Sequence, residues 1–132
     1  MKNKSVLVVD DEELIVQTMR DDLRLVGYQV DVAYDAQQAL GLFQEIQHDL
    51  VITDLHMKTV GGIELIRKLK DFNSRTRIIV ITGYGTTESA IDSLRLKVDD
   101  FILKPYDRND LLEKINTLFS GLTKKKIVTP SL

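Results

Sequence analysis

Four short apolar runs constrain the fold of this 132-residue chain more than any other feature. They are Val6 to Val9, Leu50 to Ile52, Ile78 to Ile81 and Phe101 to Leu103. Each run is too short for a helix, and most are rich in β-branched residues, which favours buried strands. A fifth segment, Gln29 to Tyr34, alternates polar and apolar residues and is predicted to be a strand at the edge of the sheet.

Segments with helical periodicity lie between and after these strands. Five helices are predicted, of which the fourth has the weakest pattern. The fifth has Asp107 before its start as an expected cap and Gly121 near its end. The apolar positions, in chain order, are Leu14, Ile15, Met19, Leu23 and Val26; Ala36, Ala39, Leu40, Phe43 and Ile46; Ile63, Ile66 and Leu69; Ala90, Ile91 and Leu94; and Leu111, Leu112, Ile115, Leu118, Phe119 and Leu122.

Alternating strands and helices require right-handed crossovers and a mostly parallel sheet covered on both faces. The predicted fold is therefore α/β, a doubly wound five-stranded parallel sheet in the order 2-1-3-4-5. The order reverses between the first and third strands, which opens a crevice at their carboxyl ends. We expect one domain over residues 1–122, followed by a Lys-rich tail or linker over residues 123–132.

Composition excludes several classes of function. The chain has no cysteine, so it has neither disulfides nor a thiol nucleophile. A formal net charge of −2 gives no global basic field, and direct nucleic-acid binding by this chain is not expected. No apolar run is long enough for a signal peptide or a membrane span, so a cytoplasmic protein without a membrane partner is predicted.

Polar residues follow the predicted strands at their carboxyl ends: Asp10, Asp11, Asp54, Thr82 and Lys104. Parallel strands bring these residues to one edge, where three neighbouring carboxylates repel one another unless a cation compensates. Oxygen ligands favour Mg²⁺, Mn²⁺ or Ca²⁺, and Mg²⁺ is the expected ion. An aspartate beside such an ion can attack phosphorus, while a lysine and a hydroxyl hold phosphoryl oxygens.

Four segments of the chain resemble the response-regulator receiver domains of two-component signalling. They are Val6 to Glu12, Asp49 to Leu55, Thr82 to Gly85 and Lys104 to Tyr106, and the likeness extends over roughly residues 4–122. The resemblance implies a flavodoxin-like (βα)₅ sandwich and a phosphoacceptor switch.

The resemblance also implies roles for individual residues at the metal site. Asp54 is the expected phosphoacceptor and a Mg²⁺ (or Mn²⁺) ligand. Asp11 is expected to bind the ion directly and Asp10 through water. The backbone carbonyl of His56 completes the expected ligands.

Conformational switching is implied for a second group of residues. Thr82 and Phe101 correspond to the switch pair, in which the hydroxyl moves toward the phosphoryl group and the aromatic ring turns inward. This movement would alter the surface formed by the fourth helix, the fifth strand and the fifth helix. Lys104-Pro105 resembles a Lys-Pro step with a cis peptide bond.

The expected function is a phosphorelay switch. It takes a phosphoryl group from a sensor histidine kinase or a histidine phosphotransfer protein, dephosphorylates itself and turns over no external substrate. Homodimerisation through the same helix-strand-helix surface is a further expectation. Thr82 to Thr86 resembles the receivers of nitrogen-regulator-type activators, which indicates an output domain beyond this sequence.

The chain departs from the common receiver pattern in the loop after the third predicted strand. Lys58 replaces the proline that receivers commonly have after the third strand, and the segment Lys58 to Gly62 is predicted to be more mobile. His48 is predicted to be a turn residue.

One alternative is a phosphorylation-independent interaction module of the same fold. An FMN-binding protein is disfavoured, because Asp10 to Glu13 would repel phosphate.

Overall fold

The computed structural model describes residues 4–55, 57, 61–83, 95 and 97–121. Five strands form one parallel sheet in the order β2-β1-β3-β4-β5, as predicted. The strands are β1 (Ser5–Val9), β2 (Gln29–Ala33), β3 (Leu50–Asp54), β4 (Arg77–Thr82) and β5 (Asp100–Leu103). The segment predicted as an edge strand is indeed β2, at one edge of the sheet.

Four helices lie within the described residues: α1 (Glu13–Leu25), α2 (Ala36–Ile46), α3 (Gly62–Phe72) and α4 (Arg108–Ser120). Helix α4 is the one that the sequence predicts as the fifth. The predicted helix around Ala90 to Leu94 lies outside the described residues, as do Leu122 and the Lys-rich tail. Among these four helices, none has both the length and the apolar character to cross a bilayer.

The helices cover both faces of the sheet and create two cores, as a doubly wound sheet requires. On one face, α2 and α3 bury Phe43, Leu65 and Leu69 against alternate residues of the strands. On the other face, α1 and α4 do the same with Met19 and Ile115. Because both faces are covered, the central strand β3 is buried along its whole length.

Some residues at the ends of the predicted apolar stripes are exposed in the structure. Helix α1 buries Val16, Met19 and Leu23, whereas Leu14 is 75% exposed and Val26 is 55% exposed. The stripe that faces the sheet follows positions three and four apart, and Leu14 and Val26 lie outside it. At α4, Asp107 occupies the N-cap position without a side-chain capping bond, and Gly121 closes the helix in the left-handed conformation.

Candidate functional site

The sheet brings the predicted polar residues to one edge. Asp54 is the last residue of β3 and Thr82 the last of β4, while Asp10 directly follows β1 and Lys104 directly follows β5. The strands are held in register there, since Asp54 pairs with Ile81 of the neighbouring strand. Asp54 is 6% exposed and Asp10 is 4% exposed, so two carboxylates lie largely out of water at this edge.

The ammonium group of Lys104 lies at the centre of the site. Its Nζ is 2.9 Å from Asp10 Oδ2 and 3.1 Å from Asp54 Oδ2. It also lies 3.1 Å from Glu12 Oε1. One lysine just after β5 therefore joins the carboxylates of Asp10 and Glu12, which follow β1, to that of Asp54 at the end of β3. The contact from Glu12 was not predicted, and its only signal in the sequence is its position next to the two aspartates.

Asp10 uses both of its carboxylate oxygens. Oδ1 accepts a hydrogen bond from the backbone N–H of Glu12 at 3.0 Å, and Oδ2 accepts one from Lys104. The aspartate thus holds the turn that leads into α1, which begins at Glu13 after an N-cap at Glu12 that makes no side-chain capping bond.

Burial and charge act in opposite directions on these groups. Burial raises the pKa of the Asp10 carboxyl above its usual value, and the hydrogen bonds from Glu12 and Lys104 only partly offset this. Burial alone would lower the pKa of Lys104, but its hydrogen bonds to Asp10 and Asp54 outweigh that effect and raise the pKa far above normal. The lysine is therefore fixed in its charged form.

Thr82 and Lys104 are neighbours through the backbone. The N–H of Lys104 donates to the carbonyl of Thr82 at 2.9 Å, which fixes the end of β5 to the end of β4. Thr82 is fully buried. Phe101 lies on β5 opposite Val80, is half-buried and packs against the core under α2 and α3. The Lys104-Pro105 peptide bond is cis, as predicted.

Gly62 links α3 to the strand that carries Asp54. Its N–H donates to the carbonyl of Leu55 at 2.9 Å. A Cβ at this position would lie 2.7 Å from Leu55 Cα and closer still to the backbone oxygen of Asp54. The glycine therefore serves close packing of two backbones, and the predicted mobility does not account for it. Lys58, Thr59 and Val60 lie outside the described residues.

The donor set at this edge fits a hard divalent cation. The ammonium group of Lys104 contacts the carboxylates of Asp10, Glu12 and Asp54, and one positive charge does not balance three negative ones. Carboxylate oxygens are the ligands that Mg²⁺ prefers. Over residues 4–55, 57, 61–83, 95 and 97–121, no three histidine, aspartate or glutamate side chains form a ready-made metal site. The predicted carbonyl ligand at His56 lies outside the described residues.

His48 lies away from this edge, just before β3. It is predicted only to be a turn residue, but its side chain is buried and its Nε2 lies 2.8 Å from Asp31 Oδ2. Its ring stacks on Phe43 at a centroid separation of 6.2 Å. The partner aspartate is 17 residues away in sequence, so local sequence patterns could not predict the pair.

The fold and the arrangement of this edge are those of a doubly wound receiver domain. The structure is similar to the crystal structure of a CheY-like response regulator receiver domain protein from Methanospirillum hungatei JF-1. That crystal structure superimposes with a TM-score of 0.88 at 30% sequence identity, covering 94% of this chain and 99% of the other. The sequence model of the response regulator receiver domain matches residues 6–116. The chain belongs to this family.

Two further relatives bear on the site. Response regulator ArlR of Staphylococcus aureus is 32% identical over 123 residues, which is 93% of this chain and 56% of ArlR. This chain thus spans about half the length of that curated relative. The response regulator TrrA of Thermotoga maritima, solved in complex with Mg(2+)-BeF, has a TM-score of 0.79 and 31% identity. That alignment covers 87% of this chain and 98% of TrrA.

Proposed function

We propose that this chain is a phosphoacceptor switch in which Asp54 receives a phosphoryl group. The observation that carries the proposal is the convergence of the Asp10 and Asp54 carboxylates on one lysine ammonium, within 3.1 Å, at the carboxyl edge of the sheet. Such an arrangement places a nucleophilic oxygen beside a fixed cation, as phosphoryl transfer requires.

In the proposed transfer, a carboxylate oxygen of Asp54 attacks the phosphorus of a phosphohistidine. The P–N bond breaks, and its electron pair leaves with the imidazole, which then takes up a proton. Lys104 and Thr82 hold phosphoryl oxygens as charge builds up on them. Water later attacks the acyl phosphate, and inorganic phosphate leaves. The donor is a sensor histidine kinase or a histidine phosphotransfer protein, and the setting is cytoplasmic.

Asp11 and Asp54 would hold Mg²⁺ directly, with Asp10 acting through water and the His56 carbonyl as a further ligand. When bound, the ion neutralises charge on the phosphoryl oxygens and on the crowded carboxylates. The excess of carboxylates over the single lysine supports this assignment, and TrrA is a relative solved with Mg(2+)-BeF. Mn²⁺ can take the same place.

Signalling would follow from a shift between two conformations. The acyl phosphate favours the conformation in which the Thr82 hydroxyl reaches it and Phe101 turns further inward. Helix α4 and strand β5 belong to the surface that would change. That surface would bind an output domain in a longer protein or a second copy of the chain. The partial coverage of ArlR supports an output domain.

The test is phosphorylation by a small-molecule donor with Mg²⁺, followed by intact-protein mass spectrometry. Wild type is expected to gain one phosphoryl group, and Asp54→Asn none. Asp49→Asn, which changes the carboxylate just before the same strand, serves as the control and should still be phosphorylated. If the wild type is not modified under these conditions, a phosphorylation-independent interaction module is favoured. If Asp54→Asn still gains a phosphoryl group, another residue is the phosphoacceptor.

A further inference from the structure

A second charged site lies at the opposite end of the sheet from Asp54. A cavity of about 470 Å³ is lined by Arg67 and Lys70 of α3 and by Arg95 and Lys97, together with Asp71 and Ser74. We call it the basic cavity. Ser74 comes shortly before β4 and Lys97 shortly before β5, so the cavity lies at the amino ends of these strands.

The charge of the basic cavity is opposite in sign to that of the chain. Among the described residues, four cationic side chains and one carboxylate line it, whereas the whole protein has a formal net charge of −2. The described lining residues are all charged or polar, so the charged ends of their side chains decide which ligand is bound. Clustered guanidinium and ammonium groups favour oxyanions, above all phosphate groups.

Lys70 is held in place within the cavity. Its ammonium group donates a hydrogen bond to the backbone carbonyl of Thr76 at 2.7 Å. Burial lowers the pKa of Lys70, Asp99 opposes this change, and the nearby charge of Lys97 lowers the pKa further. Two lysines are thus kept close enough to repel each other, and a bound anion would relieve that repulsion.

The backbone of Lys97 provides independent support. Its φ is +63°, in the left-handed region that favours glycine and is costly for a residue with a long side chain. Glycine would satisfy this turn without that cost, yet the chain has a lysine whose charge acts on Lys70.

We propose that the basic cavity binds a small anion that carries two or more phosphate groups. The basic cavity is an open depression in the surface, and its volume of about 470 Å³ leaves room for more than one phosphate group. Several separate cations also match several phosphate groups better than one. The site is independent of Asp54 and does not require its phosphorylation.

Calorimetric titration of inorganic pyrophosphate into the full chain tests the proposal, with EDTA present so that no divalent ion loads the Asp54 edge. Saturable one-site binding is expected at near-physiological salt. Lys97→Gly should weaken the affinity at least tenfold while raising the urea midpoint, because glycine suits the left-handed turn. A weaker affinity together with a higher stability would show that the variant has lost a contact to the ligand and has not unfolded.

Lys68→Met is the matched control. Lys68 lies on the same helix, does not line the cavity and pairs with Glu64 at 3.9 Å. It should change the affinity less than twofold. The proposal is overturned if pyrophosphate does not bind, if the Lys68 and Lys97 variants weaken binding equally, or if only long polyanions such as polyglutamate or an oligonucleotide bind.

Discussion

Replacement of Gly62 by alanine tests how closely α3 must approach the strand that carries Asp54. A Cβ there would lie 2.7 Å from Leu55 Cα and closer still to the backbone oxygen of Asp54, whereas ordinary contact begins at 3.4 Å, so the backbones must separate by more than about 0.7 Å. Both facing groups are backbone atoms, which cannot rotate away as a side chain would. The strain falls on the segment between Asp54 and the start of α3.

The magnitude follows from two costs. Overpacking of this kind costs about 1–3 kcal/mol. Weakening the bond from the Gly62 N–H to Leu55 removes about 1 kcal/mol more. We therefore expect Gly62→Ala to lower the free energy of unfolding by roughly 2–4 kcal/mol, measured by urea titration with far-UV circular dichroism. Phosphorylation of Asp54 should also slow, because its backbone carbonyl is displaced.

Gly61→Ala provides the comparison one residue away. Its Cβ would lie 3.7 Å from the Leu55 oxygen, an ordinary contact, in an extended backbone that alanine accepts. The N-cap preference for glycine and the smaller entropy of the unfolded alanine chain roughly cancel, so a change within about 0.5 kcal/mol is expected. Equal stabilities of the two variants would refute the close-packing explanation.

Three further predictions concern charge and helix structure. Lys104→Ala leaves buried carboxylates without their cation and should lower the unfolding free energy by roughly 2–4 kcal/mol at neutral pH in urea titrations. Millimolar Mg²⁺ should restore part of the loss. In Asp10→Asn, stability relative to wild type should rise as pH increases from about 3.8 through the raised pKa of Asp10, because the native carboxyl holds its proton more tightly than the unfolded one. Parallel urea titrations across this range would show no such trend if burial does not raise that pKa. Gly121→Ala should cost about 1 kcal/mol at φ +76°, whereas Gly41→Ala inside α2 should gain about 1 kcal/mol in thermal unfolding. The prediction would be contradicted if both glycine variants changed stability in the same direction.

Helix boundaries and faces show where sequence patterns were insufficient. Leu14 fits the apolar period of α1 and yet is 75% exposed, because the period reports the direction of a side chain and not whether a neighbour covers it. His48 is similar: its neighbours in sequence indicate a turn, but Asp31 of the edge strand and the ring of Phe43 enclose it.

The sequence alone determined the strands, their order and the edge at which Asp10, Asp54 and Lys104 meet. Apolar runs and parallel crossovers leave few alternatives, and the ends of such strands share one edge. Only the tertiary structure decided the contacts across that edge. Lys104 reaches Glu12 over 92 residues and Asp54 over 50, and no local pattern encodes such distances.

The same holds for Gly62 and for the basic cavity. Two adjacent glycines in sequence suggest mobility, whereas the close approach of Asp54 and Leu55 leaves no room for a Cβ at Gly62. Lys70 and Lys97 appear as ordinary surface charges until α3 and the segment before β5 bring them together. Periodicity specifies the elements of this fold, while side-chain chemistry at a distance depends on how those elements pack.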